Sequence, residues 1–126
     1  MAAKRVLYVE DDQYNFVLVE RTLSVLEGVE VVHAQTAAEG LEMAHRDPPD
    51  LVLMDLHLPG MDGLEMTRTL KADKDLAQVP VVALTANVMK GERERALEAG
   101  CDDFVAKPFN LRSFRELVAR YLRLEI

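Results

Sequence analysis

The stretch LVLMDLHLPGMDG, residues 51–63, carries an apolar run up to one carboxylate, Asp55, and then breaks at Pro59 and Gly60. An apolar run of strand length without polar alternation suits a strand covered on both faces, as in a parallel sheet between helices. Proline lacks the donor that a sheet ladder needs, and glycine admits turn backbone, so the strand ends there. The acid therefore stands where a buried strand leaves its sheet.

Runs of the same kind recur at RVLYV (5–9), VEVVHA (29–34), DLVLM (50–54), PVVALT (80–85) and DFVAK (103–107). Helical stripes lie between them. Phe16, Val19, Leu23 and Leu26 follow the first run, and Ala37, Leu41 and Ala44 follow the second behind a capping Thr36. Met66 and Leu70 make a weaker stripe after the third. The segment KGERERALEAG turns Ala96, Leu97 and Ala99 inward and stops at Gly100. The last helix opens on a capping Asn110. It gathers Leu111, Phe114, Leu117, Val118, Tyr121 and Leu122 on one side and Arg112, Arg115, Arg120 and Arg123 on the other. That arginine stripe reads either as a solvated face complementing the helix dipole or as a partner-docking surface.

Strict alternation of strand and helix predicts a doubly wound α/β domain. The expected architecture is a five-stranded parallel sheet of order 2-1-3-4-5, flavodoxin-like, with right-handed crossovers and helices on both faces. No repeat, low-complexity tract or linker divides the 126 residues, so one domain over 1–126 is expected. Hydrophobic residues form 49% of the chain without any segment of bilayer-crossing length, which argues against membrane insertion. The opening MAAKRVLYVEDD runs straight into a strand pattern and leaves no room for a secretory signal, so a cytoplasmic protein is expected. Cys101 is the only cysteine, reads as a small buried hydrophobe and excludes an internal disulfide. A net charge of −7 argues against nucleic acid as a direct partner and favours a bound cation.

In sheets of this order the chemistry collects beyond the carboxyl ends of the strands, where strand order reverses. Glu10, Asp11 and Asp12 stand there after the first strand, Asp55 after the third, Thr85 after the fourth, and Lys107 with Pro108 after the fifth. The first and third strands are neighbours, so Asp55 meets the acids of the first turn. Asp12 is either a third pocket acid or the first-turn charge of a helix. Two like charges ~4 Å apart cost about 4 kcal/mol at an effective dielectric near 20, so the pocket needs positive charge. Lys107 and a divalent ion can supply it. Carboxylate-rich, all-oxygen ligation with an open shell completed by water suits Mg²⁺. A metal beside a lone carboxylate, a lysine and a threonine hydroxyl makes a phosphoryl-transfer site, with Asp55 as acceptor nucleophile between the metal and Lys107. A backbone carbonyl near His57 is a further candidate ligand. The His57 side chain reads as exposed, and His33 and His45 carry no signal.

VLYVEDD, LMDLHLPGMDG, VVALTA and AKPF, in this order and spacing, resemble the receiver domain of two-component response regulators over nearly the whole chain. The resemblance implies that Asp55 accepts a phosphoryl group from a phosphohistidine, that Asp11 binds Mg²⁺ directly, and that Glu10 holds it through water. It implies that Lys107 contacts the phosphoryl group beside a cis bond at Pro108, and that Thr85 swings toward the phosphate while Phe104 rotates inward behind it. Many members carry tyrosine where Phe104 stands, so a hydroxyl at that docking surface is missing here. His57 and Asn87 occupy positions that tune acyl phosphate lifetime. A histidine kinase or histidine phosphotransfer protein is the implied donor, and the downstream protein is unknown. Output passes by contact or onward relay. The chain is expected to be no enzyme beyond assisting its own phosphorylation and dephosphorylation. MKGERERALEAGCDDFVAKPF is similar to stand-alone cell-cycle regulators and to receiver modules of hybrid kinases. A Mg²⁺-dependent aspartyl phosphatase would place a second acid where His57 stands. A scaffold without chemistry is disfavoured by the intact Asp55, Asp11 and Lys107.

Overall fold

Each apolar run becomes a strand and each stripe a helix in the computed structural model, which describes residues 3–56, 62–85, 91–107 and 110–124. The order is β1 (Lys4–Val9), α1 (Gln13–Leu23), β2 (Val29–Ala34), α2 (Ala37–Arg46), β3 (Leu51–Asp55) and α3 (Gly63–Ala72). β4 (Val81–Thr85), α4 (Glu92–Ala99), β5 (Asp103–Ala106) and α5 (Leu111–Tyr121) complete it. The sheet runs β2-β1-β3-β4-β5, all parallel, the order that the alternation predicts. Among the described residues no helix is long and apolar enough to cross a membrane.

The two-residue period of the strands divides the core between two faces. Val6, Tyr8, Leu51, Leu53, Val82 and Leu84 pack against Phe16, Val19 and Leu23 of α1 and Phe114 and Val118 of α5. Leu7, Val9, Val52, Met54, Val81 and Ala83 face the other way, onto α2, α3 and α4. Cys101 is buried in that second cluster, as its reading as a hydrophobe requires. Thr36 and Asn110 cap α2 and α5 through their side chains, and Gly100 ends α4 in the left-handed region. Two expected core residues stand outside it: Leu97 is 44% exposed and Leu111 41%. Ala96 and Ala99 carry the buried face of the short α4, and their small size seats the helix close enough to leave Leu97 on its flank. Leu111 opens α5 and projects past the packed stretch that begins at Phe114.

The amino ends of the strands are tied by polar contacts that span the chain. Lys71 Nζ donates to Val79 O at 2.8 Å, Ala77 O at 3.3 Å and Asp102 Oδ2 at 3.1 Å, so its three protons serve three acceptors. Asp102 Oδ2 also accepts from Val81 N at 2.8 Å, which joins the entry to β4 with the entry to β5. Gly100, at φ +113°, has no room for a side chain, because a Cβ there would lie 2.8 Å from Lys71 Cγ. Gly100→Ala combines left-handed backbone strain with displacement of the lysine stem, and is expected to cost about 1–3 kcal/mol of stability in urea unfolding.

His45 fastens α2 to the end of α3. Its Nδ1 lies 2.8 Å from Leu41 O and its Nε2 2.7 Å from Asp73 Oδ2. Both partners only accept, so both bonds form together only when the ring carries two protons. The Leu41 carbonyl and then the Asp73 carboxylate raise the His45 pKa, with the Asp75 charge adding to them. The Asp75 amide and then His45 lower that of Asp73. A histidine pKa raised on folding gives stability that is complete below its unfolded value of ~6.5 and lost as pH rises through the folded value. Asp73 contributes in the opposite sense, above the ordinary carboxyl range, and its share is lost in acid. The Tm difference between wild type and His45→Gln should therefore be positive below pH ~6.5 and shrink as pH rises through the raised pKa of the folded protein in a thermal-melt series.

Candidate functional site

Because β1 and β3 are neighbours and each connects outward in the opposite direction, the residues that leave them share one crevice. Asp55 is the last residue of β3, across from Leu84 of β4, and Glu10 and Asp11 follow β1 directly. Carboxylate oxygens of Glu10, Asp11 and Asp55 all lie within 4.8 Å of one another. The three are graded in depth: the Glu10 side chain is 1% exposed, Asp55 15%, and Asp11 stands at the rim. Lys107 Nζ reaches in from the end of β5, 3.1 Å from Glu10 Oε1 and 3.8 Å from Asp55 Oδ2. Its backbone N–H donates to Thr85 O at 2.7 Å, fixing where the lysine leaves the sheet. Thr85 is wholly buried at the end of β4. Expected to converge, Glu10, Asp11, Asp55, Thr85 and Lys107 are brought to one end of the sheet.

Phe104 of β5 stands opposite Ala83 and Ala106 opposite Thr85, so Phe104 and Thr85 project to the same face two residues apart. Half-buried, Phe104 packs on the cluster beneath α2, α3 and α4. Asp12 takes the second of its two expected roles, as an N-terminal helix acid: its Oδ1 accepts from Tyr14 N at 2.8 Å and Asn15 N at 3.3 Å, capping α1. His57, Asn87 and Pro108, with the carbonyl expected near His57, lie outside the described residues.

Residues that sequence reasoning passed over surround Glu10. Tyr8, two positions earlier on the same strand face, donates its hydroxyl to Glu10 Oε1 at 2.9 Å. Burial first, and the Glu10 charge beside it, push the phenol far above its ordinary pKa, so it stays a proton donor. His33, read as carrying no signal, lies 2.7 Å through Nε2 from the Glu10 carbonyl. A carbonyl only accepts, so Nε2 carries the proton. The imidazole stacks on Phe16, ring centroids 4.0 Å apart. Glu10 N donates to Ala34 O at 2.9 Å, so backbone and side chain of this acid are held from β2 and from β1. Gly63 serves Asp55 similarly: a Cβ there would come within 3.0 Å of Asp55 O and Leu56 Cα, so the lack of a side chain lets α3 close tightly on the end of β3. The parity of Tyr8 with Glu10 was a readable signal, whereas His33 reaches Glu10 only through strand register.

Among the described residues one ammonium stands against three carboxylates, so the groups described there hold an excess of negative charge on hard oxygen donors. That donor set suits a hard divalent cation. The residues present fit Mg²⁺ on their chemistry alone.

A family model of the response regulator receiver domain matches residues 6–119. The polar-differentiation response regulator DivK of Brucella ovis is 40% identical over 119 residues, covering 94% of this chain and 96% of that protein. Among solved structures, the receiver domain of a Pseudomonas aeruginosa sensor histidine kinase, with magnesium coordinated in its active-site cleft, superposes with a TM-score of 0.87 at 35% identity. That match covers 97% of this chain and 99% of the other. A receiver domain of a Syntrophus aciditrophicus signal transduction histidine kinase gives 0.88 at 31% identity over 96% and 91% of the two chains. The matched span runs from β1 into α5 and encloses the acidic crevice together with Lys107, and by that correspondence of sequence, topology and site the chain belongs to the receiver domains of two-component response regulators.

Proposed function

We propose that this chain is a phosphorylation-driven switch in which Asp55 accepts the phosphoryl group of a phosphohistidine on a histidine kinase or histidine phosphotransfer protein. The observation that carries the reading is the setting of Asp55: it ends the central strand, within 4.8 Å of Glu10 and Asp11 and 3.8 Å from Lys107 Nζ. An Asp55 oxygen forms the new bond to phosphorus as the phosphorus–nitrogen bond breaks, and the departing imidazole nitrogen takes up a proton. Lys107 bears on the negative charge that gathers on the transferring oxygens. Glu10, Asp11 and Asp55 are the residues that would hold Mg²⁺, which supplies charge neutralisation and orientation of the transferring group when bound. The magnesium of the Pseudomonas relative supports that assignment.

The product, an acyl phosphate at the mouth of the crevice, presents acceptor oxygens near Thr85. Its hydroxyl moves to donate to one of them, and Phe104, on the same face, follows into the space. Two packings separated by a few kcal/mol are enough for such a switch. The receiver domain signals by contact with a downstream protein or by passing the phosphate on, in the cytoplasm, and turns over no external substrate. His57 and Asn87 set how long the acyl phosphate lasts.

Titration with beryllofluoride, a mimic of the aspartyl phosphate, tests the reading. Binding that requires Mg²⁺, disappears in Asp55→Ala and shifts amide resonances from Thr85 to Phe104 is the expected result. Binding indifferent to Asp55→Ala would overturn it. The metal site carries a second expectation. Asp11→Asn should weaken Mg²⁺ binding at least about tenfold by titration calorimetry. In metal-free buffer it should raise stability by ~0.5–1 kcal/mol, because one of three crowded like charges is gone.

A further inference from the structure

Glu10 Oε1 takes two side-chain donors among the described residues, the Tyr8 hydroxyl at 2.9 Å and the Lys107 ammonium at 3.1 Å. Lys107 is nearer to Glu10 than to Asp55, at 3.1 Å against 3.8 Å, so its charge is committed to the floor of the crevice. On the function proposed above, on which this inference rests, a phosphoryl group at Asp55 draws that ammonium away. Of its protein donors among the described residues, this carboxylate, only 1% exposed, then keeps the Tyr8 hydroxyl on Oε1 and the Asp12 N–H, 3.4 Å from Oε2. Tyr8 cannot leave: it is wholly buried in β1, and its ring lies against Phe16 with centroids 6.2 Å apart. We infer that Tyr8 is a positioning residue, whose hydroxyl keeps the Glu10 carboxylate satisfied and in place while Lys107 transfers to the phosphoryl group.

The inference separates the hydroxyl from the ring. Phenylalanine at position 8 fills the same volume on the α1 and α5 face and donates nothing. Lys107 then becomes the remaining side-chain donor to Glu10 Oε1 among the described residues, and the phosphorylated arrangement must strip it away. A hydrogen bond to a charged group is worth a factor of ten or more in an equilibrium.

Two measurements on the purified full chain decide the matter. In the beryllofluoride titration with Mg²⁺, Tyr8→Phe is expected to bind about tenfold more weakly than wild type. In metal-free thermal melts, Tyr8→Phe, Lys107→Met and the double variant form a cycle. The double variant is expected to lose more than the sum of the single losses, because only it strips both side-chain donors from Oε1 of a buried charge. A role limited to packing moves neither the cycle nor the affinity. Beryllofluoride affinity within about twofold of wild type, or strictly additive melting losses, overturns the role of Tyr8 while the receiver reading stands. Absence of beryllofluoride binding by the wild type removes that reading, and the inference with it.

Discussion

A parallel sheet sealed by helices on both faces has nowhere to keep a charge except at its strand ends, and the rest of this structure depends on that constraint. Val6 through Val9, Leu51 through Met54 and Val81 through Leu84 are all buried, so any charge within those spans would sit unpaired between two hydrophobic layers. Polar groups are pushed to the two rims. At the carboxyl rim the β2-β1-β3-β4-β5 order seats the turn after β1 beside the end of β3. The acids that converge there are far apart in sequence and adjacent for a topological reason.

The two rims are built to opposite ends. At the amino rim, Lys71 and Asp102 distribute one cation and one carboxylate over backbone donors and acceptors, and every proton of the ammonium has a partner. Such a network holds the entries to β4 and β5 in one arrangement. At the carboxyl rim three carboxylates crowd together and, among the described residues, one lysine pairs with two of them, so repulsion of a few kcal/mol at these separations is held in place by the fold. Strain of this electrostatic kind is relieved by a cation, so the metal-free protein gives up some stability in exchange for affinity. The deepest acid is also the best tethered, with Tyr8, Lys107, His33 and the Ala34 carbonyl all bearing on Glu10.

What was legible in the sequence follows from how local each signal is. Strand order, helix faces, the caps at Thr36 and Asn110 and the convergence of Glu10, Asp11, Asp55 and Lys107 all rest on periodicity plus one rule about parallel sheets. Leu97 misled because an apolar residue beside Ala96 satisfies a helical stripe on paper, while two alanines draw the helix in and leave the leucine outside. His33, His45 and Lys71 were invisible for a different reason. Their partners lie 23, 28 and 31 residues away, at Glu10, Asp73 and Asp102, and only register and packing bring them within reach. Gly63 matters through packing alone: a Cβ there would come within 3.0 Å of Asp55 O and Leu56 Cα, contacts that no local pattern announces.

The proposed switch gains coherence from one backbone bond. Lys107 N donates to Thr85 O at 2.7 Å, so the exits of β4 and β5 cannot shift independently. On the function proposed, a phosphoryl group at Asp55 would act on both ends of that bond at once, drawing the Lys107 ammonium from Glu10 and the Thr85 hydroxyl from the core. Phe104 is two residues upstream of Ala106, the partner of Thr85, and on the same face, so displacement of Thr85 opens the space beside its ring. In the proposed switch, charge at the rim would thereby become movement of the Phe104 ring, which packs on the α2, α3 and α4 face. Tyr8 and His33 hold Glu10 from inside the sheet, and in the proposed switch that fixed floor would let the groups above it rearrange.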